Sequence, residues 1–207
     1  MKKILYLGRF DLPESAAGIR VYRIAKLLSA CDCQVQFGCY GANYQNRTET
    51  YDGFVYHFHT VFSGWRKALN VADLYSDQLK YRFANKLIEA YRPNMVILYN
   101  PTSRIAEKVR RFCQKRGIRV VVDVTEWYEI DHHEKGEKTV AKSVDNRIRR
   151  IDKKMDGIIS ISSYLTHYYT ELGQRTYEIP PVMMEISRGN TSTKRSEDEA
   201  RLSIVYA

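Results

Sequence analysis

The densest chemistry in the sequence lies in DVTEWYEIDHHEKGE, residues 123–137. An apolar run, IRVVVDV at 118–124, opens there into Asp123, Glu126, Glu129, Asp131, His132, His133 and Glu134. Carboxylates and imidazoles so placed act as general bases or hold sugar hydroxyls. Trp127 and Tyr128 offer flat faces that suit stacking on a sugar ring. The competing reading is a solvated loop whose acids cap a helix. Asp123 and Glu126, just past a strand end, favour function, because open α/β sheets bind ligands at the carboxyl ends of their strands. For His132 and His133 both readings stand, since neighbouring rings point apart and chelate poorly.

Three further segments follow apolar runs in the same way: GRFDLPESAAGIR after 3–7, YNPTS after 95–99, and SISSYL at the end of 157–162. The first lacks the G-x-G-x-x-G spacing that lets a helix N-terminus cradle a dinucleotide. Gly8 and Gly18 instead flank a long polar loop. Gly18 either sets its backbone against a phosphate at the helix start or eases the turn into the helix. His57-x-His59 would share one strand face, but nothing near it adds a third metal ligand. Cys31, Cys33, Cys39 and Cys113 match no zinc spacing and read as packing thiols. No Ser-His-Asp triad and no Walker motif can be assembled.

Alternating strands and helices must position these segments. KILYL (3–7), QVQFGC (34–39), FVYHF (54–58), MVILY (95–99), IRVVVDV (118–124), GIISIS (157–162) and TYEIPP (176–181) read as strands. Helical spacing runs through Ala17, Val21, Ile24, Ala25 and Leu28, with Arg20, Arg23 and Lys26 outside that face. It recurs from Leu74 to Tyr91, around Ile105, Val109 and Phe112, from Lys142 to Met155, and from Leu165 to Leu172. Ser162 or Ser163 caps the last helix and Gly173 stops it. In the Lys142–Met155 helix, Val144, Ile148, Ile151 and Met155 form one stripe, with Lys142, Arg147, Arg149, Arg150, Lys153 and Lys154 around it. The repeat predicts an α/β class: a Rossmann-like parallel sheet with helices on both faces. The pattern predicts one such domain over 1–186, a polar linker over 187–201, and at 202–207 the first strand of a second domain.

The chain has 207 residues, 44% of them hydrophobic, so a sizeable core is available. Lys and Arg number 33 against 24 Asp and Glu, a formal charge of +9 that calls for an anionic partner. Nucleic acid is not that partner on this reading, because no reader motif is present and the basic residues are scattered. The N-terminus reads as having no secretory signal, and no window approaches the roughly 18 apolar residues of a membrane span. These features predict a cytoplasmic protein, with the Lys142–Lys154 stretch and the aromatic-basic FSGWRK at 62–67 available to an anionic membrane surface.

ILYLGRFDLPESAAGIRVYRIAKLL, RVVVDVTEWYE, DGIISISSYLTHYY and YEIPPVM, in this order and spacing, together resemble the N-terminal half of a glycosyltransferase of the GT-B fold. Within that fold the resemblance is to family 4, of the bacterial polysaccharide type, and the final LSIVYA resembles the strand that opens the donor domain. The resemblance implies two Rossmann-like domains facing across a cleft, with the acceptor on this one and a nucleotide-sugar on the other. It implies retaining transfer, without a fixed nucleophile, to a saccharide or lipid-linked acceptor in cell-surface polysaccharide synthesis at the inner membrane face. The nucleotide-sugar is then a co-substrate, with no metal and no other cofactor. Asp123 and Glu126 become the catalytic candidates. Gly18, Arg20, Tyr99, Asn100, Trp127, His132, Ser162 and Tyr164 become the substrate-binding candidates. Tyr99-Asn100 stands where many family members carry a histidine. A stand-alone Rossmann-like module that binds a ligand or partner without catalysis is the rival reading.

Overall fold

The computed structural model describes residues 1–41, 44–60, 69–127 and 138–181. The expected linker and closing strand, and His132, lie outside them. Strands β1 (Lys2–Gly8), β2 (Cys33–Gly41), β3 (Arg47–Tyr51), β4 (Phe54–Thr60), β5 (Met95–Tyr99), β6 (Arg119–Val124), β7 (Gly157–Ser160) and β8 (Thr176–Glu178) form one sheet. Its order is β3-β4-β2-β1-β5-β6-β7-β8. All neighbours are parallel except β3 and β4, which form an antiparallel hairpin. The sheet is the expected Rossmann-like α/β one.

Each face has its own core. On one, Val21, Ile24 and Ala25 of helix α1 (Ala16–Ala30) pack on the aromatic positions of β1, β2 and β4. On the other, helices α2 (Leu69–Tyr91), α3 (Ser103–Gln114) and α5 (Ser163–Glu171) cover β1, β5, β6 and β7. A fourth segment joins them there: helix α4 (Lys138–Asn146) continues through a π turn at Arg147–Ile151 and a 3-10 turn at Asp152–Lys154. Strands covered on both faces show continuous apolar runs, and MVILY is the clearest case. Each fully buried aliphatic or aromatic side chain contributes about 1.5–3 kcal/mol relative to exposure.

Local signals set the element ends. Ser15, Thr102 and Ser162 cap α1, α3 and α5 by accepting from Gly18 N, Ile105 N and Leu165 N. Gly117 and Gly173 take left-handed backbone after α3 and α5. Strand β3 is not among the expected strands. Its residues, RTETY, carry no buried position, so the hydrophobic pattern is silent. Asp52 and Gly53, with φ of 45° and 79°, make the tight turn into β4. That turn is clamped by α1, where Tyr22 Oη and Lys26 Nζ both donate to Asp52 Oδ2, at 2.6 and 2.8 Å.

Candidate active site

The sheet order places a topological switch at β1 and β5. From β1 the chain winds outward through β2 and β4, and from β5 it winds the other way through β6, β7 and β8. Loops leaving β1 and β5 therefore part in opposite directions, and a crevice opens at their carboxyl ends. Gly8 pairs with Tyr99 and Tyr99 with Asp123, so one row of three residues marks its floor. Gly8 is glycine for lack of room: a Cβ there would lie 2.7 Å from that of Tyr99 and 2.9 Å from the Phe10 ring. The chain can then turn back after β1 and set Phe10 edge-on against Tyr6, Phe37 and Tyr99.

Beneath this floor lies a buried charge pair. Asp123 is fully buried and Arg20 is 7% exposed. Arg20 Nη2 donates to Asp123 Oδ1 at 2.7 Å, and Nε lies 3.1 Å from both carboxylate oxygens. Tyr6 Oη donates to Oδ2 at 2.5 Å. The remaining arm of Arg20, Nη1, donates to the Ile179 carbonyl at 2.7 Å, just past β8. Burial pushes the Asp123 carboxyl up, against the pull of Arg20 and Tyr6. It pushes the Tyr6 hydroxyl well up too, and the Asp123 charge adds to that. The pair corrects two expectations. Arg20 does not stand outside the apolar face of its helix, and Asp123 does not face the cleft. An Asp at the end of a buried strand needs a cation, and α1 supplies it from the inside.

Glu126 is different. It stands exposed beyond β6, and its charge acts on Tyr99. Burial raises the Tyr99 hydroxyl pKa most; a hydrogen bond with Thr125 lowers it, and Asp123 and Glu126 raise it further. Asn100 takes the left-handed region with φ of 38°, which Asn tolerates better than most residues. Its backbone N–H donates to the Asp123 carbonyl at 3.0 Å. Its side chain clamps Thr125, accepting from Thr125 N at 3.0 Å and donating to Thr125 Oγ1. Tyr99, Asn100, Thr125 and Glu126 thus form one connected rim at the ends of β5 and β6.

The other expected residues fall elsewhere. Gly18 sits in the first turn of α1, where a Cβ would come within 2.2 Å of the Leu12 carbonyl oxygen and 2.7 Å of that of Asp11. Its requirement is close passage of the loop backbone over the helix. Ser162 is occupied as the cap of α5, with Leu165 N at 3.4 Å. Trp127 meets the edges of Tyr164 and Tyr168, at 5.7 and 4.9 Å between ring centroids, with the Arg149 guanidinium 5.7 Å from its own ring centre. Tyr164 is 65% exposed, so this aromatic group continues to the surface.

A second buried charge group went unread in the sequence. Arg147 and Asp152 are fully buried, 3.4 Å apart between Nε and Oδ2. Arg147 Nη1 donates to the Pro101 carbonyl at 2.9 Å, and Tyr169 Oη donates to Asp152 Oδ2 at 2.7 Å. The sequence reading set Arg147 around the apolar stripe, and the structure corrects this. Spacing held the signal, since 144, 147, 148 and 151 follow i, i+3, i+4, i+7. That register carries Arg147 inward, under the loop that follows β5.

No protein-family model matches the sequence, and no curated protein matches it. Solved structures do match in shape. Sucrose-phosphate synthase from Thermosynechococcus elongatus superposes with a TM-score of 0.60 at 12% identity, over 87% of this chain and 48% of that one. Glycyrrhiza uralensis UGT73P12, complexed with glycyrrhetinic acid 3-O-monoglucuronide, gives 0.57 at 13% identity, over 87% and 49%. A UGT transferase from Siraitia grosvenorii in complex with UDP gives 0.57 at 11% identity, over 88% and 51%. The chain spans about half the length of these proteins, and at such identities the likeness is one of fold. The chain is therefore a Rossmann-like α/β sheet of the kind that these solved glycosyltransferases carry over about half their length.

Proposed function

We propose that this chain is the acceptor-side half of a retaining glycosyltransferase that uses a nucleotide-sugar. The observation carrying this reading is the β1–β5 crevice, rimmed by Tyr99, Asn100, Thr125 and Glu126, in a fold shared with transferases, one of them solved with UDP. Glu126 is the exposed carboxylate on that rim and holds the acceptor hydroxyl. Asp123 and Arg20 act from below: their closed ion pair fixes the ends of β6 and α1, so the rim is set before substrate arrives. Rate then comes from orientation and from charge stabilisation of the departing diphosphate, which takes the acceptor proton. No nucleophilic side chain is required. On this reading the donor is held by a second domain.

The acceptor is a saccharide or lipid-linked sugar in cell-surface polysaccharide synthesis, handled on the cytoplasmic side of the membrane. Among the described residues no helix is long and apolar enough to cross a membrane. Contact with lipid is instead peripheral, through Arg150, Lys153 and Lys154. All three are exposed and, among the described residues, outside any ion pair. The test is sugar transfer by the full-length gene product from a panel of radiolabelled nucleotide-sugars to lipid-linked acceptors. Labelled product that falls sharply in the Glu126→Gln variant supports the reading. Absence of transfer from every donor overturns it.

A further inference from the structure

Strand β4 faces two ways. Phe54, Tyr56 and Phe58 are buried on the α1 side, so alternation turns His57 and His59 to the side of α2. There Phe83 and Leu87 of α2 close over Gly38 of β2, where a Cβ would meet Leu87 at 2.7 Å. His59 lies flat on Phe83, with centroids 4.7 Å apart and planes 12° apart. Beyond this stack, helix and hairpin separate and leave an open groove of about 520 Å³.

Leu79, Phe83 and Leu87 give it an apolar wall, Asn46, Thr48 and His57 a neutral polar one, and its unpaired charge comes from α2. Arg47 of β3 is the cross-strand partner of Phe58 and keeps its guanidinium on the α1 side, 4.2 Å from the Phe58 ring centre with its Nε on Glu49, so it brings no free charge to the groove. Arg82 and Lys86 come from α2, one turn apart and both exposed. Among the described residues, neither is in an ion pair and no carboxylate lines the groove. Like charges at i and i+4 destabilise a helix by a few tenths of a kcal/mol, so the helix gains nothing from this pair by itself. An anion between them reverses that sign. His57 is fixed as wall, its two ring nitrogens meeting Thr48 Oγ1 at 3.1 Å and Gln36 Oε1 at 3.3 Å. The ring nitrogens of His59 have no such partners among the described residues.

We propose that this groove is a second binding site, for a small molecule carrying a phosphate or carboxylate on a body that packs against Leu79, Phe83 and His59. It does not rest on the transferase reading. In the sheet, β2 separates β4 from β1, so the groove is about two strand spacings, roughly 10 Å, from the switch-point crevice.

The experiment follows histidine ring signals by NMR at pH 8 and constant ionic strength. The 207-residue chain is titrated with inorganic pyrophosphate, glucuronic acid or glucose. The expected result is saturable movement of the His59 signal with one or both anions, none with glucose, and no movement of the exposed His167. The tighter anion identifies phosphate or carboxylate as the recognised group. In the variant R82Q/K86Q the dissociation constant rises tenfold or more, while the melting temperature holds because both residues are on the surface. A His59 signal that never saturates, equal binding of glucose, or an unchanged constant in the double variant each overturns the site.

Discussion

Arg20 and Asp123, 103 residues apart in sequence, close a bidentate ion pair beneath the carboxyl ends of the sheet. Removing one partner of a buried pair leaves the other uncompensated and costs about 3–5 kcal/mol. Arg20→Met is therefore expected to lower the urea midpoint strongly, and Asp123→Asn nearly as much. The double variant should lose less than the sum, because neither charge is then stranded. Additive losses would show that the two side chains do not act as a pair.

The two carboxylates of this segment are expected to part company. Glu126 is exposed on the rim, and Asp123 is buried and paired. In the full-length gene product, Glu126→Gln should cut turnover by roughly a hundredfold to a thousandfold, the range for losing one positioned hydrogen-bonding group in an active site, with the melting temperature unchanged. Asp123→Asn should lower both. Full activity in the Glu126 variant would remove it from the site.

Two glycines test two kinds of requirement. At Gly18 a methyl would strike the Leu12 carbonyl at 2.2 Å, and Gly18→Ala is expected to cost about 1–3 kcal/mol as the loop is pushed off α1. At Gly53 nothing lies within 4 Å, but φ is +79°. Gly53→Ala is expected to cost about 1–2 kcal/mol from backbone strain alone. Thermal unfolding reads both costs, and limited proteolysis separates the variants: only the Gly18 change should increase cleavage within the loop that follows β1.

Acid is expected to weaken the fold in two steps. Burial holds His57 below the ordinary 6.5, and burial with Lys86 does the same at His59. As pH falls through 6.5 the unfolded chain takes up protons first, so stability drops until the folded-state values are passed. Glu107, paired with Arg110 and Arg111, is held down to about 2 from 4.5. Its contribution is complete above 4.5 and is lost as pH falls toward 2. Urea midpoints measured from pH 8 to pH 3 should fall in these two steps, and His57→Gln should flatten the part near pH 6. A constant midpoint between pH 7.5 and 5.5 would contradict the first step.

Charge should bring the domain to anionic vesicles and not to neutral ones. Each exposed Lys or Arg near such a surface is worth about 1 kcal/mol. Replacing Arg150, Lys153 and Lys154 by Gln should reduce sedimentation with vesicles rich in phosphatidylserine, and salt should do the same across a Debye length of about 8–10 Å. Failure to bind anionic vesicles at low salt would remove the peripheral membrane role.

What the sequence disclosed followed burial. MVILY marks β5 residue for residue, and Ser162 and Gly173 mark the ends of α5, because continuous apolar runs and caps are local properties. Strand β3 was missed because an edge strand buries nothing; only Asp52-Gly53 announced it. Asp123 stands out in the sequence, but its burial and its partner do not. A buried strand Asp demands a cation, and one-dimensional spacing cannot say which of 33 Lys and Arg will arrive. Arg147 lies in register with Val144 and Ile148, and its charge, not its spacing, argued for the surface; Asp152, which allows its burial, lies past the π turn.

The switch point also has a history in time. Strand β1 is made first yet ends at the centre of the sheet, between β2 and β5. Its partner β2 follows directly, but β5 begins only at Met95. At ribosomal rates of about 5–20 residues per second, one hydrogen-bonding edge of β1 waits on the order of 5–20 seconds for its neighbour. During translation the nascent chain therefore presents an open, apolar strand edge, KILYL, that the finished protein never shows. A chaperone that shields such edges would be needed early in synthesis and not after β5 has docked.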